Sequence, residues 1–397
     1  MTLMPNTMSP LFTPNYPYFQ PGKTTLLSTP ERLGASDAYT GHGVVIAFVD
    51  SGFYMHPDLA ERVLVHADAT TNHIIEEPAV SETSDLSWHG QMTSVIACGD
   101  GRTSQGRFRG IASAAQMVLV KVSNPRGGVK EADILRGLNW IYDTHSRFNV
   151  RVVNLSVGGD EFSSDPDHPL HRVVRKLHDA GIVVVAASGN RHGETLVPPA
   201  SAPEAITVGG YSDHNTLDRG QWTLFHHDCG IDYNGSRKPE IVAPAEWIPS
   251  PILPGSLVDR EARWLAPLLD NGVEKALKRL LQKGYNDLGI DPKIAKKPDE
   301  HLFHMLQARI NGYKLIDRSH QHVDGTSVSA AIVSSVVAQL LEAEPNLTPD
   351  EVKAILTTTA RPLPNVSGHR QGAGAINPAR AITIAAQMRS HKDDNHA

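Results

Sequence analysis

Five short runs rich in valine, isoleucine and alanine constrain the fold most: residues 44–49, 116–122, 150–155, 183–187 and 206–208. A strand with one wet face alternates apolar and polar residues. These runs scarcely alternate, so both of their faces must be covered. Helical patterns lie between them. Over residues 130–142, Ile134, Leu138 and Ile141 are spaced four and three apart, as one helix face requires. A second helix is expected over 171–180, with Gly181 as its stop signal. Thr348-Pro349-Asp350-Glu351 is a capping box with proline at the first helical position, opening a helix over 351–357. Strands alternating with helices make an α/β protein: a mainly parallel sheet between helical layers.

One stretch breaks the alternation. Residues 252–320 are rich in Lys, Arg and Leu, and no strand is read there. Val273, Ala276, Leu277, Leu280 and Leu281 share one helical face; Leu302, Leu306 and Ile310 suggest another. Composition favours a helical insertion over two further covering helices of the host. The expected division is an irregular arm over 1–28, a main domain over 29–386 with the insertion at 252–320 inside it, and a tail over 387–397.

The net charge of −6 gives no reason to expect nucleic acid or a membrane surface as partner, and no apolar run is expected to approach the length needed to span a bilayer. Cys98 and Cys229 are the only cysteines, which makes neither a disulfide framework nor a zinc motif. The first 20 residues lack a basic region, an apolar core and a cleavage site. A cytoplasmic location is therefore expected if Met1 is the true start, with secretion as the alternative.

Three segments carry residues suited to chemistry. Residues 44–52 form a buried strand ending in Asp50-Ser51-Gly52. A carboxylate there stands at the carboxyl edge of the sheet, where open α/β folds build their sites, although a strand-end aspartate also serves as a turn or cap residue. Trp88-His89-Gly90 opens a helix, whose positive end is expected to lower the pKa of His89 and favour the neutral base. Asp324-Gly325-Thr326-Ser327 runs into an apolar, small-residue helix. A hydroxyl at its start is either a simple cap or a nucleophile placed where the dipole supports negative charge.

Taken together, the segments VVIAFVDSGFYMHPDL, WHG, VVNLSVGG, VVVAASGN and DGTSVSA resemble the motifs of the subtilase family, in that family's order of Asp, His and Ser. The resemblance spans about residues 29–382 apart from the insertion. It implies a three-layer α/β/α subtilisin-like fold and a serine endopeptidase. Ser327 would be the nucleophile, His89 the general base and acid, and Asp50 the orienting carboxylate. Asn190 would be the side-chain donor of the oxyanion hole. Ser123-Asn124 and Ser156-Val157-Gly158 resemble the two edges that pair with an extended polypeptide substrate. Val197 and Arg191 fall near the primary specificity pocket, where Val197 would shorten it and Arg191 would favour an acidic side chain.

Two positions depart from the family pattern. Gln91 stands where threonine is usual, and Ala331 where proline is usual. The insertion lengthens the interval between Asn190 and Ser327, and no folding-assisting prodomain is read at the start. Together these suggest an intracellular member whose insertion screens the cleft or holds a regulatory partner. Many family members bind structural calcium, but no matching loop is recognised, and no metal or cofactor is expected. The pairs His226-His227 and His301/His304 are read as exposed loop or helix residues. A binding protein that had lost activity would not need all four chemical positions, and an esterase with this triad would carry a Gly-x-Ser-x-Gly elbow, absent here.

Overall fold

The computed structural model describes residues 12–17, 19, 25–77, 84–270 and 272–394. The chain forms two compact units: Leu26–Ile248 with Asp324–Ala397, and Pro249–Val323 with Met1–Thr25.

The larger unit holds the sheet. Its strands are β1 (Val45–Asp50), β2 (Val63–Asp68), β3 (Ile75–Glu77), β4 (Gln116–Lys121), β5 (Val150–Leu155), β6 (Val183–Ala187), β7 (Ile206–Ser212), β8 (Thr223–Leu224), the small hairpin pair β9 (Gly230–Ile231) and β10 (Arg237–Lys238), and β11 (Ile241–Pro244). The main sheet runs β11-β7-β6-β5-β1-β4-β2-β3, with β8 added beside β7. Every pairing from β11 to β2 is parallel; β3 and β8 are antiparallel. β4 and β5 lie on opposite sides of β1, so the strand order reverses there. Ligand sites of open α/β sheets form at that position, beyond the carboxyl ends of the strands. Asp50 is the last residue of β1.

Both faces of β1 are covered. Val45, Ala47 and Val49 join a core with Ile134, Leu138 and Ile141 of helix Glu131–Phe148 and with Leu170, Val173, Val174 and Leu177 of helix Pro169–Asp179. Ile46 and Phe48, which alternate with them, are also fully buried. Helix Thr326–Ala343 packs on β1, β5, β6, β7 and β11 and on helix Ser87–Cys98. Only Glu342 in it is not buried, and the hydroxyls within its body find partners inside the protein. Ser334 Oγ donates to Asn154 Oδ1 at 3.0 Å and Ser335 Oγ to the Ile332 carbonyl at 2.6 Å. Buried hydroxyls are tolerated when bonded in this way. Glu342 accepts the backbone N–H groups of Thr40, Gly41 and His42 at 2.7, 2.7 and 3.1 Å, which fixes the loop leading into β1.

This helix corrects one expectation. It has the length and composition to cross a membrane, with mean hydropathy 1.4, and 89% of it is buried inside the protein. Its apolar character belongs to the core. The half-exposed β2, which carries His66 within it, and the very short β3 and β8 are strands that residue patterning missed.

In the smaller unit, helices Leu257–Leu265, Val273–Arg279, Pro292–Lys296 and Glu300–Tyr313 start at the side-chain caps or turns of Ser256, Gly272, Asp291 and Asp299. Their core includes Leu265, Leu277, Leu280, Leu302, Leu306 and Ile310. Strands β12 (Ile248–Pro251) and β13 (His320–Val323) pair with each other, a ribbon that the sequence reading missed. Of the expected arm, residues 12–17, 19 and 25–28 are described. Phe12 is 2% exposed within the helical core, 6.4 Å from the Phe303 ring, and Tyr16 stacks on His322. The expected tail from residue 387 is instead helical to Asp394 within helix Pro378–Asp394.

Close approach at Gly90 positions the site. A Cβ there would lie 2.1 Å from the Gly52 carbonyl oxygen and 2.8 Å from the Phe53 ring. The first of these obstacles is backbone and cannot rotate aside. Gly90→Ala is expected to cost about 1–3 kcal/mol in chemical denaturation. By shifting His89 relative to Asp50 it should lower kcat/KM by about 100-fold.

Candidate active site

Asp50 is fully buried and surrounded by donors. The Ser51 backbone N–H donates to Oδ1 at 2.7 Å, and Thr93 Oγ1 donates to Oδ2 at 2.9 Å. His89 Nδ1 lies 2.6 Å from Oδ1. A carboxylate can only accept, so Nδ1 carries the proton and Nε2 is left with a lone pair. Thr93 was not read from sequence as part of the site. It lies four residues after His89 on helix Ser87–Cys98, and that spacing puts both side chains on the face toward Asp50.

The direction of the His89 pKa corrects the sequence expectation. Burial works against the charged ring, but the charge of Asp50 and the hydrogen bond to it outweigh burial and hold His89 above the ordinary histidine value. The His89 side chain remains 30% exposed. Trp88 stands edge-on to it at 6.1 Å.

Ser327 is the second residue of helix Thr326–Ala343 and 9% exposed. Among the described residues no hydrogen bond joins its Oγ to His89. Such contacts are often long without substrate and tighten when it binds. Ser156, just beyond β5, places its Oγ 3.5 Å from the Ser327 carbonyl and accepts from Asn154 Nδ2 at 3.0 Å.

Asn190 is tied to the start of the same helix. Its Oδ1 accepts from the Thr326 backbone N–H at 2.9 Å and from Thr326 Oγ1 at 3.1 Å, while that hydroxyl accepts the Gly189 N–H at 3.1 Å. With Oδ1 so engaged, the Asn190 NH₂ is the end left for a ligand. Thr326 thus orients Asn190, a role that the capping reading of its hydroxyl did not include. The left-handed residue here is Gly189, at φ +106°, and a Cβ on it would meet Asp228 Oδ2 at 2.3 Å.

Asp228 organises the loop after Asn190, and its sequence surroundings gave no sign of this. Fully buried, it accepts the N–H groups of Arg191 and Gly193 at 2.9 and 2.7 Å, and Arg191 Nε pairs with it at 3.1 Å. The Arg191 cation is therefore already partnered, which weakens the preference for acidic side chains expected of it. Val197 stands beside Gly158: a Cβ there would be 3.1 Å from Val197 Cγ2. Val157 packs against the main core. At the other expected edge, Ser123 bridges Val129 and Asn124 N–H donates to the Gly128 carbonyl.

Neither departure from the family pattern removes a reacting group. Gln91 is fully buried, and neither atom of its amide has a partner among the described residues. Ala331 is packed in the core. His226, His301 and His304 are exposed, but His227 is not: it is fully buried, accepting from Gly210 N–H at 3.1 Å and contacting the Arg370 carbonyl at 2.7 Å.

A model of the subtilase family matches residues 41–374. The chain belongs to the subtilase family of serine proteases. It is 28% identical to the serine protease AprX of Bacillus subtilis (strain 168) over 351 residues, 86% of this chain and 67% of that one. It is 31% identical to Subtilisin Savinase of Lederbergia lenta over 217 residues, 55% of this chain and 69% of that one. Against a cuticle-degrading serine protease of Arthrobotrys oligospora, at 29% identity, it spans only 43% of the relative. The fold matches a point mutant of the protease domain of PatA with TM-score 0.60 at 20% identity, covering 89% of this chain and 98% of the other. Fervidolysin from Fervidobacterium pennivorans, described as a keratinolytic enzyme related to subtilisin, matches with TM-score 0.60 at 21% identity over 90% of this chain and 45% of its own. The subtilisin-like fold with its mainly parallel sheet is thereby established.

The Asp50–His89 contact sets a pH dependence. A base must be unprotonated to act, and Asp50 raises the pKa of His89, so activity should rise with pH along a limb lying above the ordinary histidine value. In Asp50→Asn the two raising influences vanish and burial alone remains, so the limb should move below that value. The turnover left should be lower by on the order of 10⁴-fold. A kcat/KM profile of both proteins measures this; an unmoved limb would sink the assignment of His89 as the base.

Proposed function

We propose that this subtilase cleaves peptide bonds internally in polypeptides through an acyl-enzyme on Ser327. The observation that carries the reading is the fixed tautomer of His89. With its Nδ1 proton held by buried Asp50 at 2.6 Å, the opposite nitrogen is free to take the Ser327 proton and later deliver it to the leaving amine. Ser327 lies in the first turn of an 18-residue helix, whose positive end favours the developing oxyanion. The Asn190 NH₂ and the Ser327 backbone N–H are the donors assigned to that oxygen. Thr326 supports this by occupying Asn190 Oδ1.

An extended substrate is expected to add as a strand along Ser123–Asn124 and Ser156–Val157–Gly158. Main-chain pairing accepts many sequences, so the pocket beside Val197 and Gly158 sets the preference. A branched side chain against a glycine leaves a shallow pocket, and small or medium side chains should be cleaved best. A peptide series varying that position tests this, and a strong preference for large aromatics would overturn it.

Two variants test the chemistry. A fluorophosphonate probe should label the protein once per chain, and Ser327→Ala should abolish labelling without loss of fold. Asn190→Ala should lower kcat by about 10²- to 10³-fold with little change in KM, because the oxygen it serves becomes charged only in the transition state. An equal rise in KM with kcat unchanged would instead make Asn190 a ground-state binding residue.

A further inference from the structure

We infer that Glu194, Cys229 and His369 form a binding site for a divalent transition-metal ion of the zinc class, separate from the catalytic residues. Their atoms converge on one point. His369 Nε2 is 2.9 Å from Glu194 Oε2, Cys229 Sγ is 3.5 Å from the same Nε2, and Cys229 Sγ is 3.6 Å from the same Oε2. Among the described residues this is the one group of three or more such side chains whose ligand atoms approach one another closely enough to hold an ion.

The geometry distinguishes a metal site from a proton relay. In a relay, histidine uses one ring nitrogen toward each partner. Here the thiol and the carboxylate both meet Nε2, and one N–H cannot serve both well. A cation at the centre satisfies all three. With bond lengths of about 2.3 Å to sulfur and about 2.0–2.1 Å to nitrogen and oxygen, tetrahedral coordination puts the ligand atoms roughly 3.3–3.6 Å apart. Two of the observed separations fall on those edges, and the third needs to open by only a few tenths of an ångström.

The donor set selects the ion. A thiolate with an imidazole and a carboxylate suits zinc and similar ions, whereas calcium and magnesium take oxygen. Thiolate and carboxylate together balance the two positive charges. Binding forms three protein–metal bonds and releases the Cys229 thiol proton to solvent, with no change of oxidation state. The second oxygen of Glu194 is held by Arg370 Nη1 at 3.3 Å, and Arg370 Nη2 lies 3.3 Å from His192 Nδ1, so Oε2 is the oxygen free to bind. A fourth position remains for water.

The location gives the ion a structural task. Glu194 lies in the loop that begins at Asn190, and Cys229 follows Asp228, which anchors the start of that loop. The Cys229 N–H already donates to the Gly193 carbonyl at 3.0 Å. A bound cation fastens both segments to His369, 140 residues farther along.

The test uses the full chain, stripped with a chelator and titrated with Zn²⁺ by calorimetry, and with Co²⁺ by absorption. One Zn²⁺ per chain is expected, and Co²⁺ should give tetrahedral visible bands with a thiolate charge-transfer band in the near ultraviolet. Cys229→Ser should abolish that band, and His369→Ala should weaken Zn²⁺ more than about 100-fold, beyond what outer-shell partners are worth. Cys98→Ala should leave both unchanged, since that thiol lies in the core and outside the cluster. Sub-stoichiometric Zn²⁺ in the wild type, a Co²⁺ spectrum lacking the thiolate band, or equal affinity in His369→Ala would overturn the proposal. The wild-type spectrum decides the matter even if a variant fails to fold.

Discussion

Placement of one carboxylate where water cannot reach it governs the larger unit. A buried charge is costly unless hydrogen bonds satisfy it, and Asp50 can occupy the end of β1 only because Ser51, Thr93 and His89 all direct polar hydrogens at it. That requirement fixes the approach of helix Ser87–Cys98, since two of the three donors lie on it. The approach in turn requires glycine at position 90, where the helix backbone meets the Gly52 carbonyl. Sheet, helix and imidazole are set by a single electrostatic demand.

A second set of contacts governs the far side of the site. Asp228, also buried, gathers the N–H groups of the loop after Asn190, and Thr326 secures Asn190 itself. Both devices hold backbone or amide dipoles in place before any substrate arrives. Preorganised dipoles need not reorient during reaction, which is why they are effective in stabilising charge. The serine helix then has little freedom: its small residues fit closely against five strands, and its hydroxyls other than that of Ser327 are spent internally.

Much of this was legible in the sequence. β5 and β6 were read to the residue because strands buried on both faces leave unbroken apolar runs, and the Thr348 capping box was read because its chemistry is local. The segments around Asp50, His89, Asn190 and Ser327 stood out by motif and order. What was not legible depends on distant partners. Asp228 looks like any loop aspartate until its N–H donors are in view, and Thr93 looks like an ordinary helix residue. His227 reads as exposed from its neighbours, yet it is buried, and Gly209 leaves room for its ring. The rise in the pKa of His89 was misjudged because the helix dipole was weighed alone, without the opposing charge of Asp50, 39 residues away in the chain.

The helical unit draws its core from two separated parts of the chain, with Thr13 bonded to Gln307 across 294 positions. During synthesis at about 5–20 residues per second, the arm must therefore wait roughly 15–60 s before its partner helix exists. Until then Phe12 lacks the core that covers it in the folded protein. Completion of this unit is consequently a late event in the life of the polypeptide, set by translation speed as much as by its own packing.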